Sequence, residues 1–266
     1  MTRNGPFALL FSTLFVIFMV APLVVVVGVS LTPEGFLEFP PSGLSLRWFQ
    51  AILDNPDFID AAWISLYLGF ASATLATVLA VPAALAIGRR RFGGRDFLLA
   101  LFMSPLTVPT IVLGIAFLRF LTAVGLSGTF LGLTLCHAVI ITPFILRLVL
   151  ASVTGLDRTI ERAAESLGAS SLTVFRRVTL PMIMPGVVGG WVLAFITSFD
   201  ELTVTVFIVN PSTTTLPVRL FAHITQTTDP LVASISTVVI LFTVALMFLI
   251  ERLYGLDRLL VGESGR

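Results

Sequence analysis

The chain contains no lysine, one cysteine and two histidines, and only 12% of its 266 residues are charged. Each shortage excludes something. Without lysine there is no phosphate-binding loop of the G-x-x-x-x-G-K-[ST] type, because the Lys that reaches the β- and γ-phosphates is missing. The chain therefore does not hydrolyse nucleotide by that route. The lone Cys136 lies in an apolar run and has no partner for an internal disulfide. No spacing of His, Cys and carboxylates fits a metal site, and the isolated His137 reads as a packed helix residue. Soluble domains are about a quarter charged. With 56% apolar residues and a mean hydropathy of +1.03, this chain reads as an integral membrane protein.

A spanning helix needs roughly 20 predominantly apolar residues. Six stretches qualify, at about 7–31, 61–88, 97–118, 129–150, 184–209 and 231–250. They predict an all-α fold of six transmembrane helices in a single domain over 1–266. The first stretch follows Arg3, but it is too long for the apolar core of a signal peptide, so it reads as a retained helix. Pro82, Pro105, Pro109 and Pro143 fall within or near spans and predict kinks, which are tolerated where neighbours or cavity water satisfy the freed carbonyls. Gly69, Gly114, Gly186, Gly189 and Gly190 permit close helix approach.

Orientation follows from arginine placement. Arg89, Arg90, Arg91 and Arg95 separate spans two and three, and Arg158, Arg162, Arg176 and Arg177 separate spans four and five. Arg252, Arg258 and Arg266 follow span six, and Arg3 precedes span one. The opposite loops hold only Arg47 and Arg219. Both termini are therefore expected in the cytoplasm. The outer segment 32–60 is acidic, starts with Pro33, Pro40 and Pro41, and predicts a short interfacial helix over 45–53 anchored by Trp48 and Phe49. A docking surface for an external protein and a solvated connector fit it equally well.

The polar segment between spans four and five is the most informative. Over 157–167, Ile160, Ala163, Ala164 and Leu167 recur at helical spacing, with Asp157, Arg158, Glu161, Arg162 and Glu165 on the other side. Gly168 is a natural helix stop. Ser170 or Ser171 caps a second short helix, 172–178, with Leu172, Phe175 and Val178 on its apolar side, and Pro181 is expected to end it. The product is a helical hairpin whose apolar tip calls for a partner's groove.

These residues carry a resemblance. Glu161, Arg162, Ala163, Ala164, Glu165, Leu167, Gly168, Ala169, Phe175, Leu180 and Pro181 form a segment that resembles the EAA loop of ABC-importer permeases. That pattern is Glu-Ala-Ala, three residues, Gly, nine residues, then Ile-x-Leu-Pro. Ala163, Ala164, Gly168, Leu180 and Pro181 match in register, and Val178 stands for the Ile. Arg162 departs, occupying the Glu position, with Glu161 one residue earlier. Further stretches resemble the spermidine/putrescine-type subfamily: Leu46-Arg47-Trp48-Phe49 with Asn55-Pro56, Ser104-Pro105 through Ile115, Gly190-Trp191 through Glu201, and Leu216-Pro217.

The resemblance implies a bacterial inner-membrane, multi-pass permease that is not itself an enzyme. It implies a second homologous permease subunit, two ATPase subunits gripping the 157–181 loops, and an extracytoplasmic substrate-binding protein. ATP and Mg would sit on the ATPase, with no cofactor in this chain. Lipid surrounds it, and nucleic acid is not an expected partner. The implied solute is a polyamine or a related small organic compound.

Asp200 and Glu201 fall in the outer half of span five. A carboxylate in hydrocarbon costs roughly 2.5–3.5 kcal/mol on insertion scales. Either they meet a cationic solute or gate its path, or they pair with Arg119, Arg219 or a partner subunit. Thr110 follows the span-three proline where the resembling subfamily commonly has Asp or Glu, which opens the reading to a smaller or less cationic solute. Two other classes of membrane protein would carry different signatures. An ion-gradient-driven secondary transporter would show inverted repeats and intramembrane ion ligands. An intramembrane enzyme would need a metal cluster, a G-x-S-x-G or a paired acid and base. The chain offers none of these convincingly.

Overall fold

A computed structural model describes residues 5–254, and those residues form helices joined by turns, with no strand among them. In chain order they are α1 (Pro6–Ser30), α2 (Arg47–Leu53), α3 (Pro56–Arg89), α4 (Arg95–Met103), α5 (Thr110–Ala123) and α6 (Phe130–Thr154). There follow α7 (Thr159–Ser166), α8 (Ser171–Val174), α9 (Leu180–Phe199), α10 (Thr205–Ile208), α11 (Leu216–Ile224) and α12 (Leu231–Tyr254). Among the described residues five helices are long and apolar enough to span a membrane, and α4 with α5 counts as a sixth if that bent pair is one span. Arg3, Arg258 and Arg266, used above for orientation, lie outside the described residues.

The third span departs from a single straight helix over 97–118. α4 and α5 meet at 101°. A one-turn 3₁₀ segment, Ser104–Leu106, closes the first arm, and Pro109 stands just before the second with ψ at 130°. Two prolines four apart explain the break. Each removes a donor, and Pro109 also disfavours helical geometry at Val108. Ser104 Oγ donates to the Leu101 carbonyl and Thr107 Oγ1 to the Ser104 carbonyl, both at 2.8 Å, so freed acceptors are satisfied locally.

The fifth span is also redrawn. Pro181 does not end the hairpin's second helix. The chain stays helical from Ser171 to Phe199, through one wide π-helical turn over Phe175–Thr179. That turn shifts the carbonyl ladder where the proline would otherwise leave an acceptor unpaired. The helix then stops at Phe199, ten residues before the expected end at 209. Asp200 caps it, and helix resumes only at Thr205.

The chain packs as two compact units. The larger, residues 61–218 with 246–254, has α3, α6 and α9 at its centre. The buried face of α3 consists mostly of small residues at helical spacing: Ala61, Ser65, Ser72, Ala76, Ala80 and Ala84. Ser72 Oγ reaches the Thr134 carbonyl on α6 at 3.3 Å. α6 and α9 approach most closely at glycines. A Cβ on Gly186 would collide with Ser152 Oγ and lie 2.9 Å from the Leu148 carbonyl oxygen, and one on Gly190 would lie 3.1 Å from Ile145 Cα. Between membrane helices, where lipid is as apolar as the side chains, this close packing is the main source of association.

The smaller unit comprises residues 5–60 and 219–245. α1 is apolar all round and exposed along most of its length, as expected of a helix covered by lipid or another subunit. α2 forms where the short outer helix was expected. Trp48 Nε1 donates to the Glu34 carbonyl at 3.0 Å, and the Arg47 guanidinium lies 4.9 Å over the Trp48 ring. Gly186→Val should destabilise the solubilised protein by about 1–3 kcal/mol, the usual cost of overpacking. Thermal unfolding in detergent measures it, and an unchanged midpoint would contradict the close α6–α9 contact.

Candidate functional site

The hairpin is built from local chemistry. Asp157 Oδ1 accepts from the backbone N–H of Thr159 at 2.9 Å and from its hydroxyl at 2.7 Å, which starts α7. Those bonds, the hydroxyl one first, hold the Asp157 carboxyl below the usual aspartate range, with Arg162 adding a smaller pull. α7 ends in two reverse-turn bonds. The Ala169 N–H reaches the Ala164 carbonyl at 3.1 Å, and the Gly168 N–H reaches that of Glu165 at 2.9 Å. This closing motif needs a left-handed residue, and Gly168 has φ at 86°. Ser170 caps α8, accepting from the Thr173 N–H at 3.3 Å.

Two sides of the hairpin differ. Outward it presents apolar surface that nothing among the described residues covers: Leu167 is 89% exposed, Leu172 59% and Ile160 48%. Arg162, Ala163, Glu165 and Pro181 are exposed as well, while Ala164, Ala169, Phe175 and Leu180 are half-buried. Inward it is tied down by Glu161. The Glu161 carboxylate accepts from both the Arg89 guanidinium at the end of α3 and the Thr179 hydroxyl in the π turn. Arg158 adds a bond to the Arg89 carbonyl at 2.6 Å. Arg89 and Glu161 are only 23% and 13% exposed at the side chain. Such charge-assisted bonds contribute about 1.5–3 kcal/mol each. Glu161 thus faces its own chain, and Arg162 is the neighbour that faces out. The partners Arg89 and Thr179 are 72 and 18 residues away in sequence, and no local pattern announces them.

The second candidate region is the break in span five. Asp200 is exposed at the C-terminal end of α9. Glu201 folds back, one carboxylate oxygen accepting from the Val204 N–H at 2.7 Å. Arg219, one of the partners left open above, is instead held by Asp57 at 3.2 Å. His137 is buried, with Nδ1 2.8 Å from Ser198 Oγ and Nε2 3.1 Å from Thr205 Oγ1. Thr110, the first residue of α5, is exposed. One turn further along that helix, Gly114 lies against the stretch after the acidic pair, where an added Cβ would sit 3.3 Å from Val204 Cα. His137, Ser198 and Thr205 were not singled out as a group in the sequence, although hydroxyls flanking an intramembrane carboxylate pair are a usable signal.

Several helices long and apolar enough to cross a membrane, with a polar hairpin between two of them, are the features of a multi-pass membrane protein. The chain belongs to the family of binding-protein-dependent transport system inner membrane components, which it matches over residues 76–256. It is 32% identical over 78% of its length to the spermidine/putrescine transport system permease protein PotC of Haemophilus influenzae, covering 80% of that protein. It is 30% identical to the putrescine transport system permease protein PotI of Escherichia coli, over 89% of this chain and 86% of that one. It is 32% identical, over 91% of both chains, to PhnV of Salmonella paratyphi A, named for a 2-aminoethylphosphonate transport system. Among solved structures, a bacterial ABC transporter involved in importing the acidic polysaccharide alginate shares the fold. The TM-score is 0.74 over 96% of this chain and 98% of that one, at 16% identity.

The chain is therefore an ABC-importer permease of the bacterial inner membrane, a multi-pass transport subunit and not an enzyme, with the ATPase a separate subunit. Family membership favours this ATP-driven class over the ion-gradient alternative. Removing the Glu161 carboxylate with Glu161→Ala should lower the local stability of the hairpin by about 1–3 kcal/mol. Hydrogen exchange should then quicken across 159–179 and stay unchanged in the middle of α6. Equal protection in both proteins would mean that the Arg89–Glu161–Thr179 cluster does not anchor the hairpin.

Proposed function

We propose that this permease forms half of the translocation path for a small amine-bearing solute, a polyamine such as putrescine or spermidine first, and that the 157–181 hairpin couples it to an ATPase subunit. The observation that carries the coupling assignment is the exposed apolar tip at Ile160, Leu167 and Leu172 on a hairpin whose base is tied to α3 and α9. A groove on the ATPase would cover the tip, and the tied base would transmit its movement. In this reading both termini and the hairpin are cytoplasmic. A second homologous permease, two ATPases carrying ATP and Mg, and an extracytoplasmic binding protein complete the assembly. The contact residues would be Arg162, Ala163, Ala164, Glu165, Leu167, Gly168 and Ala169, with Phe175, Leu180 and Pro181 supporting them.

The solute class rests on Asp200. A carboxylate at a helix C-terminus opposes the helix dipole and costs about 0.3–1 kcal/mol, so it is not there to stabilise α9. The same end of the helix, with Asp200 and Glu201 together, attracts a cation. The solutes named for PotC, PotI and PhnV all carry an amine. Thr110, where a further carboxylate would suit a polycation, keeps a singly aminated compound as the second reading.

ATP-dependent uptake of labelled putrescine and spermidine by the reconstituted complex tests the proposal. Saturable uptake that requires ATP supports it. ATPase activity stimulated by the binding protein without polyamine uptake would leave the importer and remove the polyamine. Gly168→Arg should uncouple the complex. The left-handed position costs a side chain roughly 1 kcal/mol or more, and the long chain would obstruct a docked partner. Beyond its chain neighbours no atom lies within 4 Å of a Cβ there, so the change adds no clash to that backbone strain. Normal ATP-driven uptake by that variant would sink the coupling assignment. Asp200→Asn should depress uptake of the cation while ATP hydrolysis continues. Undiminished uptake would return Asp200 to a structural role.

A further inference from the structure

The hydrogen bonds around His137 can be assigned a direction. Thr205 Oγ1 donates to the Glu201 carbonyl at 2.8 Å. A hydroxyl has one hydrogen, so the proton in the Nε2 to Thr205 Oγ1 contact belongs to the imidazole. In a neutral ring Nδ1 is then the acceptor, taking a hydrogen bond from Ser198 Oγ at 2.8 Å. Ser198 is in the last turn of α9, and Thr205 opens α10. His137, from the middle of α6, therefore grips both ends of the break in span five.

Between those two grips lie Asp200 and Glu201. The Glu201 carbonyl is held by Thr205, and one oxygen of its carboxylate by the Val204 N–H. Its backbone and side chain are fixed through the turn that Thr205 closes, and Thr205 is fixed through His137. We propose that His137 is the positioning residue of the acidic turn, setting where the Asp200 and Glu201 carboxylates meet the ammonium group of the transported solute. This rests on the reading of that turn as part of the path. A neutral ring suits the role, because an imidazolium here would offset the negative charge that attracts the solute.

A residue that merely fills space is replaceable by an apolar one of similar size, whereas this one needs a donor on one edge and an acceptor on the other. His137→Gln retains both, through its amide N–H and carbonyl. His137→Leu retains neither; Thr205 keeps its bond to the Glu201 carbonyl, and the freed Ser198 hydroxyl can bond to a carbonyl of its own turn. The measurement is solute transported per ATP hydrolysed, in the reconstituted complex with its binding protein and labelled putrescine. For His137→Leu the ratio should fall about tenfold, the usual scale for losing a buried polar partner. Binding-protein-stimulated ATP hydrolysis should persist, and His137→Gln should transport near the unmodified rate. Because His137 acts through the acidic turn, His137→Leu with Asp200→Asn should be no worse than Asp200→Asn alone. An unchanged ratio for His137→Leu beside an impaired Asp200→Asn would overturn the positioning role and leave the path standing. Multiplying losses in the double variant would overturn it too. A silent Asp200→Asn would remove the path reading itself, and the positioning role with it. If His137→Leu does not assemble, Ser198→Ala, which keeps the ring and the Thr205–Glu201 bond but removes one of the two grips, should lower the ratio in the same direction, and an unchanged ratio there would overturn the positioning role.

Discussion

In a bilayer core there is no water to take up an unpaired backbone group, so each break in a spanning helix must be satisfied by the chain itself. Most of what is particular to this protein follows from that constraint. It has two such breaks, and each is repaired with short polar side chains. At the bend between α4 and α5, Ser104 and Thr107 return hydrogen bonds to the preceding turn. At the end of α9, Glu201 supplies a carboxylate to the restarting helix, and His137 reaches across from α6. The polar residues that look costly in an apolar sequence are those that make non-helical backbone possible there. Irregular backbone is also where a membrane protein can present carbonyls, N–H groups and charge.

The hairpin solves a different problem. Standing outside the apolar helices, it has little buried surface of its own, and its conformation depends on caps and turns. Asp157 starts it, Gly168 reverses it and Ser170 restarts it. Without an anchor such a segment would fluctuate independently of the bundle. Glu161 supplies the anchor by meeting α3 and the π turn together. Two adjacent residues thereby divide the work. Glu161 faces the bundle, and Arg162, at the position where a Glu is usual, faces away from it.

How far the residues alone foretold this depends on the range of each interaction. Periodicity located the apolar helices, and the hairpin was legible almost residue by residue, because caps, glycine stops and amphipathic spacing are local. The prolines marked where helices would be disturbed but did not specify the outcome. Pro105 and Pro109 break a span at 101°, whereas Pro181 is absorbed by a wide turn within a continuing helix. That difference is decided by what packs alongside. The end of span five was misjudged because 200–209 is apolar enough to continue, whereas the helix ends at a cap on Asp200, with a histidine 63 residues upstream bonded to both sides of the break. Charge placement could flag Asp200 and Glu201, but not that Glu201 folds back on its own turn while Asp200 remains exposed.

The helix running unbroken from Ser171 to Phe199 has a mechanical consequence. Its 29 residues make a strut roughly 43 Å long at 1.5 Å per residue. One end belongs to the hairpin and the other carries Asp200. A swing of about 5° about one end displaces the other by roughly 4 Å, more than a hydrogen bond's length. The hairpin and the acidic turn are thus the two ends of one lever. The π turn near its base is the place where that lever has least stiffness to lose.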